Sequence, residues 1–411
     1  MPALEFDVVV VGAGVIGTST AFHLARLGVP RVALVERRQV ASGASGRSGA
    51  LVRTHYTNPP EARLALAALP WFEEWAYRVG GSCGFQPTGF LQLVAPSDAG
   101  RLRGNVDRLR DVGVETEVLE ADELRRLAPY LRVDDGELGA YEPRGGYADP
   151  ELTTQAFAAA AQRLGVTLFE GREVTRIGVE SGSVRGVETT AGRLGCSALV
   201  VAGGNWSRSL LAPIGVSVPI HPTRVQVARF DRPSSLPGGV RGHLTVIDRR
   251  HGYYARPAGE TGTLVGLSGF HRPLRDLDDF PRKNDEDFVG VARAQLARRI
   301  PAFAGARYLG GHMGPLDVTD DGKAVLGWAP GVEGLVLAVG MSGTGFKKAP
   351  AIGACLAELV TRGAAETAPI EPFRPGRFAE GQPIAGDDYE LPPEAIAADG
   401  VSALLSRGLI H

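Results

Sequence analysis

Val8, Val9, Val10, Val11, Gly12, Ala13, Gly14, Val15, Ile16 and Gly17 decide the fold. The four valines make a continuous apolar run, as a parallel strand covered on both faces requires. Gly12 permits a tight turn, Gly14 lets the backbone approach a pyrophosphate, and Gly17 lets the next helix lie close to the strand. That helix, opened by Val15 and Ile16, is expected over residues 14–27, with Ala21, Leu24 and Ala25 inward and its first N–H groups aimed at phosphate. After Gly28 the chain returns as Val32, Ala33, Leu34 and Val35 and stops at Glu36, followed by Arg37. A carboxylate there can accept both hydroxyls of a ribose and repel an extra phosphate. The glycine spacing alone is weak. Strand, glycines, helix, strand and acid in that order, within the first 36 residues, predict a dinucleotide cradle. The competing reading is a glycine-rich turn that binds no nucleotide.

A chain of 411 residues exceeds one hydrophobic core. With 44% hydrophobic and 22% charged residues it has the composition of a globular protein. A net charge of -2 gives no general attraction to nucleic acid or to an anionic membrane, so neither is expected as a partner. No apolar stretch is long enough to span a bilayer, and no basic, apolar leader precedes the first strand, so a cytoplasmic location is expected. Cys83, Cys196 and Cys355 are an odd number without metal-ligand spacing, which predicts neither disulfides nor a metal site. Lysine occurs only at 283, 323, 347 and 348, which makes the Lys347–Lys348 pair conspicuous against the many arginines.

Further along, residues 41–53 combine small side chains with Arg47 and Arg53, a composition suited to a loop lying on an anion or a planar ring. Two later segments repeat the opening pattern. Residues 198–202 run into Gly203 and Gly204, and residues 335–339 run into Gly340, Gly343 and Gly345 before a helix expected from about 349 to 361. Between them, strand-like runs at 225–230, 245–248, 252–256 and 263–267 and a helix at 286–299 predict a second sheet. The expected class is α/β, α+β overall. A discontinuous Rossmann-like nucleotide domain (residues 1–85, 145–218 and 310–370) carries a mixed-sheet substrate domain (86–144 and 219–309). Residues 371–411 are expected to be a surface extension.

In these segments the chain resembles the D-amino-acid oxidase, glycine oxidase and sarcosine oxidase superfamily of FAD-dependent oxidoreductases, most closely its sarcosine oxidase and β-subunit branch. The matching stretches are 11–17 with Glu36, 43–49 with Arg53, 146–150, 200–206, 219–226 and 340–347. The resemblance implies FAD rather than NAD, which the cradle alone leaves open. It implies that Gly43, Ser45, Arg47, Ser48, Gly49 and Ala50 lie along the cofactor, that Val174 lends backbone to the adenine, and that Ala202, Gly203 and Trp206 line the site. It also implies that Met341, Ser342, Gly343, Thr344, Gly345, Phe346 and Lys347 lie against the flavin. Arg53 and Lys347 match the pair that holds a substrate carboxylate, and Tyr254 matches a substrate-domain tyrosine facing the flavin. Guanidinium plus ammonium would fix an amino acid in one orientation. Lys348 is expected to be a solvated neighbour, and His55 and His312 are weaker acid–base candidates.

Two departures bear on chemistry. No cysteine stands at 311–321, where monomeric sarcosine oxidases tether their flavin, so FAD is expected to be non-covalent. Leu264 aligns with an oxygen-activating lysine of those enzymes, which weakens the case for fast reaction with oxygen. The expected activity is oxidation of a small secondary or N-methylated amino acid, with oxygen or another acceptor and possible assembly into an oligomer or heteromeric complex. The alternatives are a proline- or dimethylglycine-type dehydrogenase, a glycine or D-amino-acid oxidase, and a flavin-binding module without catalysis.

Overall fold

The computed structural model describes residues 4–391. The opening valines do what their composition demands. Leu4–Val11 is a central strand, paired in parallel with Val32–Val35 on one side and Gly192–Val201 on the other. Val8 to Val11 are all buried, each worth about 1.5–3 kcal/mol of apolar burial. Leu335–Val339 extends the parallel set beside Gly192–Val201, and Thr167–Phe169 does so beside Val32–Val35. Val325–Trp328 closes one edge antiparallel, and an antiparallel hairpin, Val174–Glu180 with Ser183–Thr189, brings this sheet to eight strands.

Both later strand–glycine segments therefore return to the first strand's own sheet. One face is covered by the helices Val15–Arg26, Pro59–Glu73, Pro150–Arg163 and Gly345–Arg362. The first and last of these approach so closely that a Cβ on Gly353 would lie 2.2 Å from Ser19 Oγ. Ser19 Oγ donates to Ala349 O at 2.9 Å. The last helix begins at Gly345, earlier than expected, which puts Phe346, Lys347 and Lys348 in its first turn.

The second sheet has nine strands, and the helix Glu286–Arg299 fills its own core with Phe288, Ala292 and Leu296. Its longest pairing joins Ile220–Asp231 to Tyr308–Thr319, from Ile220 opposite Thr319 to Phe230 opposite Tyr308. Residues 308–319 thus lie in this sheet, and the chain regains the nucleotide-binding layer only at Val325. Gly310, Gly311, Gly314 and Pro315 hide that strand from apolar alternation. Among the described residues the strand pairs on one side only, as suits an internal proline.

The expected surface extension is corrected over residues 371–391. Arg377 is fully buried and grips Asp321, Nε to Oδ2 at 2.8 Å and Nη2 to Oδ1 at 2.9 Å. Tyr389 is buried, with its hydroxyl 2.8 Å from His55 Nε2. Residues 392–411 of that expectation lie outside the described residues. Among the described residues, no helix is long and apolar enough to cross a membrane, and no cluster of potential metal ligands occurs.

Candidate active site

A cavity of about 570 Å³ runs between the two sheets. Its nucleotide end is shaped by backbone. Gly12 stands at φ +99°, and a Cβ there would lie 2.5 Å from Ala202 O. A Cβ on Gly17 would lie 1.9 Å from Gly12 O, so only glycine lets the helix start against the turn. Val15 N–H donates to Ser45 Oγ at 2.9 Å, tying the 41–53 loop to the helix start. Glu36 faces the cavity and is itself braced: Oε2 accepts from Ala13 N and Oε1 from Arg38 N, both at 2.9 Å. Each carboxylate oxygen keeps a lone pair for a ribose. The Arg37 guanidinium lies 4.4 Å from the Trp206 ring centre and pairs with Asp278.

Nearly all the expected cofactor residues line this one cavity, although they are scattered from residue 12 to residue 347. Two do not. Gly17 acts behind it, as a close-approach residue. Ser342 is buried beneath the 340–345 loop at φ +49°, its Oγ accepting from Thr319 N at 3.1 Å and donating to Gly340 O at 3.0 Å. Arg47 lines the cavity, but its Nη1 is spent on the carbonyls of Ser42 and Gly43.

The other end is cationic. Arg53 follows the short strand Leu51–Val52, which pairs with Gly146–Tyr147. It is 5% exposed, its guanidinium is 4.4 Å from the Tyr56 ring centre, and its Nε has no hydrogen-bond partner among the described residues. Next to it, Thr54 N and Oγ1 both donate to Glu142, at 2.8 and 2.9 Å. Burial pushes that carboxyl up to about 7, against the pull of Thr54 and Arg53. Lys347, 7% exposed, reaches the same cavity from the last helix, and no ion pair engages it among the described residues. Burial first, then Arg53 and Lys348, hold its pKa well below the ordinary lysine value, with partial relief from Glu61.

The Tyr254 ring is wedged between two glycines. A Cβ on Gly49 would lie 2.8 Å from its Cε2, and one on Gly266 would lie 2.2 Å from its Cζ. Burial raises its phenol to about 12, so it stays neutral.

Lys348 is not solvated. It is fully buried, with Nζ 2.6 Å from Glu61 Oε1 and 2.7 Å from Thr344 Oγ1, and Lys323 Nζ lies 3.2 Å from Glu61 Oε2. The helix turn sends consecutive lysines to opposite duties, one into the cavity and one into a buried ion cluster. His312 lines the cavity with Nε2 3.1 Å from Arg47 O, and burial lowers its pKa. His55 lies outside the cavity, lowered by burial to about 3.

Residues 7–359 match the family model described as DAO, FAD dependent oxidoreductase. The chain belongs to that family. Its relatives include the sarcosine oxidase subunit beta of Rhizobium meliloti (strain 1021), 29% identical over 92% of this chain and 90% of that one. Among solved structures it is similar to L-proline dehydrogenase from P. horikoshii (26% identity, TM-score 0.85, covering 93% of this chain and 100% of that one). It is also similar to glycine oxidase from Geobacillus kaustophilus (27% identity, TM-score 0.80, covering 91% and 99%).

The cavity fits the family's FAD. The glycine turn has no room for side chains, the helix start faces it, and the braced Glu36 stands where a ribose is expected. None of the three cysteines lines the cavity. Sequence reading missed several of this oxidoreductase's lining residues. Asp317 Oδ2 accepts from Gly340 N at 2.8 Å and Met341 N at 3.2 Å, fixing the 340–345 loop, and burial lifts its carboxyl to about 6. Gln226, Ile247, Leu267 and His271 line the cavity from the second sheet. Only the alternation of strand 245–248 carried a signal, since it turns Ile247 away from Val246 and Asp248.

Proposed function

We propose that this chain oxidises a small secondary or N-methylated amino acid, of the sarcosine kind, at the carbon beside its nitrogen. The observation that carries this reading is the convergence of Arg53 and Lys347, both buried and both without an ion pair among the described residues, on the cavity that fits FAD. A buried, unpaired cation is costly and needs an anion to satisfy it. An amino-acid carboxylate supplies that anion and, held by a guanidinium and an ammonium, presents its amine in a fixed pose. When bound, the flavin supplies a hydride acceptor at N5. Around it the protein's tasks are binding and desolvation. Arg53 and Lys347 hold the carboxylate, Tyr254, Ile247 and Leu267 exclude water, and the cationic surroundings favour the neutral amine that can release a hydride. The substrate leaves as an imine and hydrolyses, for sarcosine to glycine and formaldehyde.

The similarity to a sarcosine oxidase β-subunit supports this substrate class, and the word subunit in that name supports assembly into a larger complex. A cytoplasmic location remains the reading of the sequence. A second reading, an amino-acid dehydrogenase handing electrons to an acceptor other than oxygen, is favoured by the likeness to L-proline dehydrogenase; Leu264, buried in strand Gly262–Leu267, is not among the cavity's lining residues. The likeness to glycine oxidase supports primary amines as a third class.

Anaerobic mixing of the FAD-loaded protein with sarcosine, N-methylalanine, proline and glycine tests the proposal. Flavin bleaching by the secondary amines, faster than by glycine, is the expected result; no bleaching by any amino acid refutes it. Oxygen uptake against dye reduction then separates oxidase from dehydrogenase.

A further inference from the structure

Behind Arg53, a small chamber of about 20 Å³ shares Arg53, Ile247 and Tyr254 with the main cavity and is closed by His55, Gln92, Arg249 and Tyr389. Arg249 follows strand Thr245–Asp248, and alternation places it on the same side as Ile247, opposite the core-facing Asp248.

Its chemistry is out of keeping with the rest of the interior. Among the described residues, three arginines are buried to 2% or less: Arg249, Arg299 and Arg377. Arg299 grips Glu137 and Asp248, at 2.6 and 2.7 Å, and Arg377 grips Asp321. Arg249 differs, since its Nε and Nη2 have no hydrogen-bond partner among the described residues. Burial disfavours its charge first of all; Asp388, Tyr389 and Asp98 attract it and Arg53 repels it. A guanidinium does not escape by losing its proton. A structural arginine at such depth carries carboxylates or carbonyls, as the other two do. One carboxylate on Arg53 and Lys347 leaves Arg249 Nε and Nη2 without a hydrogen-bond acceptor among the described residues.

We infer that the chamber is a second anion subsite, in which Arg249 receives the distal carboxylate of a dicarboxylic N-methylated or secondary amino acid. The chamber has room for one terminal group and not for a second molecule. His55, 2.8 Å from the Tyr389 hydroxyl, adds a neutral polar wall. The inference rests on the proposed function, because it places the reacting amine beside the same flavin.

The test compares matched pairs on the FAD-loaded protein: N-methylaspartate against N-methylalanine, and N-methylglutamate against N-methyl-2-aminobutyrate, by anaerobic flavin reduction. The non-oxidisable acids succinate and butyrate are titrated alongside, following the perturbation of the flavin spectrum. Each diacid is expected to outperform its monoacid at least tenfold. Arg249→Met should cut that preference at least tenfold, and Arg249→Lys should keep part of it. A thermal melt of each variant controls for folding. Equal treatment of diacids and monoacids by the wild type, or equal losses for both in Arg249→Met and Arg249→Lys, overturns the inference. If monoacids reduce the flavin while diacids neither bind nor react, the inference fails and the proposed function stands. If succinate binds tightly through Arg249 but no amino acid reduces the flavin, the subsite stands and the proposed function fails.

Discussion

Replacing Lys347 with methionine is expected to make the protein more stable and worse at holding substrate. Lys347 is 7% exposed, has no ion pair among the described residues, and lies within the fields of Arg53 and Lys348. Methionine keeps the unbranched stem and removes the charge, and exchanging buried charge for an apolar side chain of similar volume gains up to about 1–4 kcal/mol. For a chain of this size that is a rise of a few degrees in Tm. The cost falls on binding: one charge-assisted hydrogen bond to the carboxylate is worth about 1.5–3 kcal/mol, or roughly 10–150-fold in Kd. The pH dependence has a definite sign. Because the folded-state pKa lies below the ordinary lysine value, the unfolded chain binds more protons between the two. Wild-type stability therefore carries the full penalty below the folded-state value and rises with pH through that window, whereas the variant lacks the rise. Thermal unfolding across pH at matched flavin content, together with substrate titration by flavin absorbance, measures both effects. A lower Tm at every pH with an unchanged Kd refutes the reasoning.

The adjacent lysine should behave in the opposite way. Lys348→Met removes a cation 2.6 Å from Glu61 while Lys323 stays 3.2 Å away, so the lost charge-assisted bond should destabilise by about 1.5–3 kcal/mol, read from chemical denaturation. Gly17→Ala sets a Cβ 1.9 Å from Gly12 O; overpacking of about 1–3 kcal/mol should weaken FAD tenfold or more, read by equilibrium dialysis. Arg377→Met breaks the bidentate pair with Asp321 and should lower stability by about 3–5 kcal/mol, while the half-buried Arg374 of the same segment, paired with an exposed glutamate, should matter little.

The nucleotide-binding layer was legible because its signals are local. Valine runs, glycine spacing and a terminal acid are set by neighbours a few residues apart, and both returns to the sheet carried the same signature. The site was legible in part, since Arg53 and Lys347 could be paired only through a family resemblance; nothing local links two positions so far apart in sequence. The failures are non-local. Lys348 looks like a surface charge until Glu61, 287 residues away, is brought to it. Arg377 looks like part of a polar tail until Asp321 closes on it. The strand Tyr308–Thr319 is masked by glycine and proline that an edge position tolerates. That Arg249 Nε and Nη2 lack an acceptor among the described residues is invisible to sequence, because an unmet donor leaves no pattern.

A crystal structure of the FAD-loaded protein with a non-oxidisable N-methylated amino-acid analogue bound decides whether Arg53 and Lys347 hold the substrate carboxylate. One carboxylate in hydrogen-bond contact with both Arg53 and Lys347, with the analogue's amine side over the flavin, is the expected result. An analogue bound elsewhere, or either cation turned away from the ring, would contradict it.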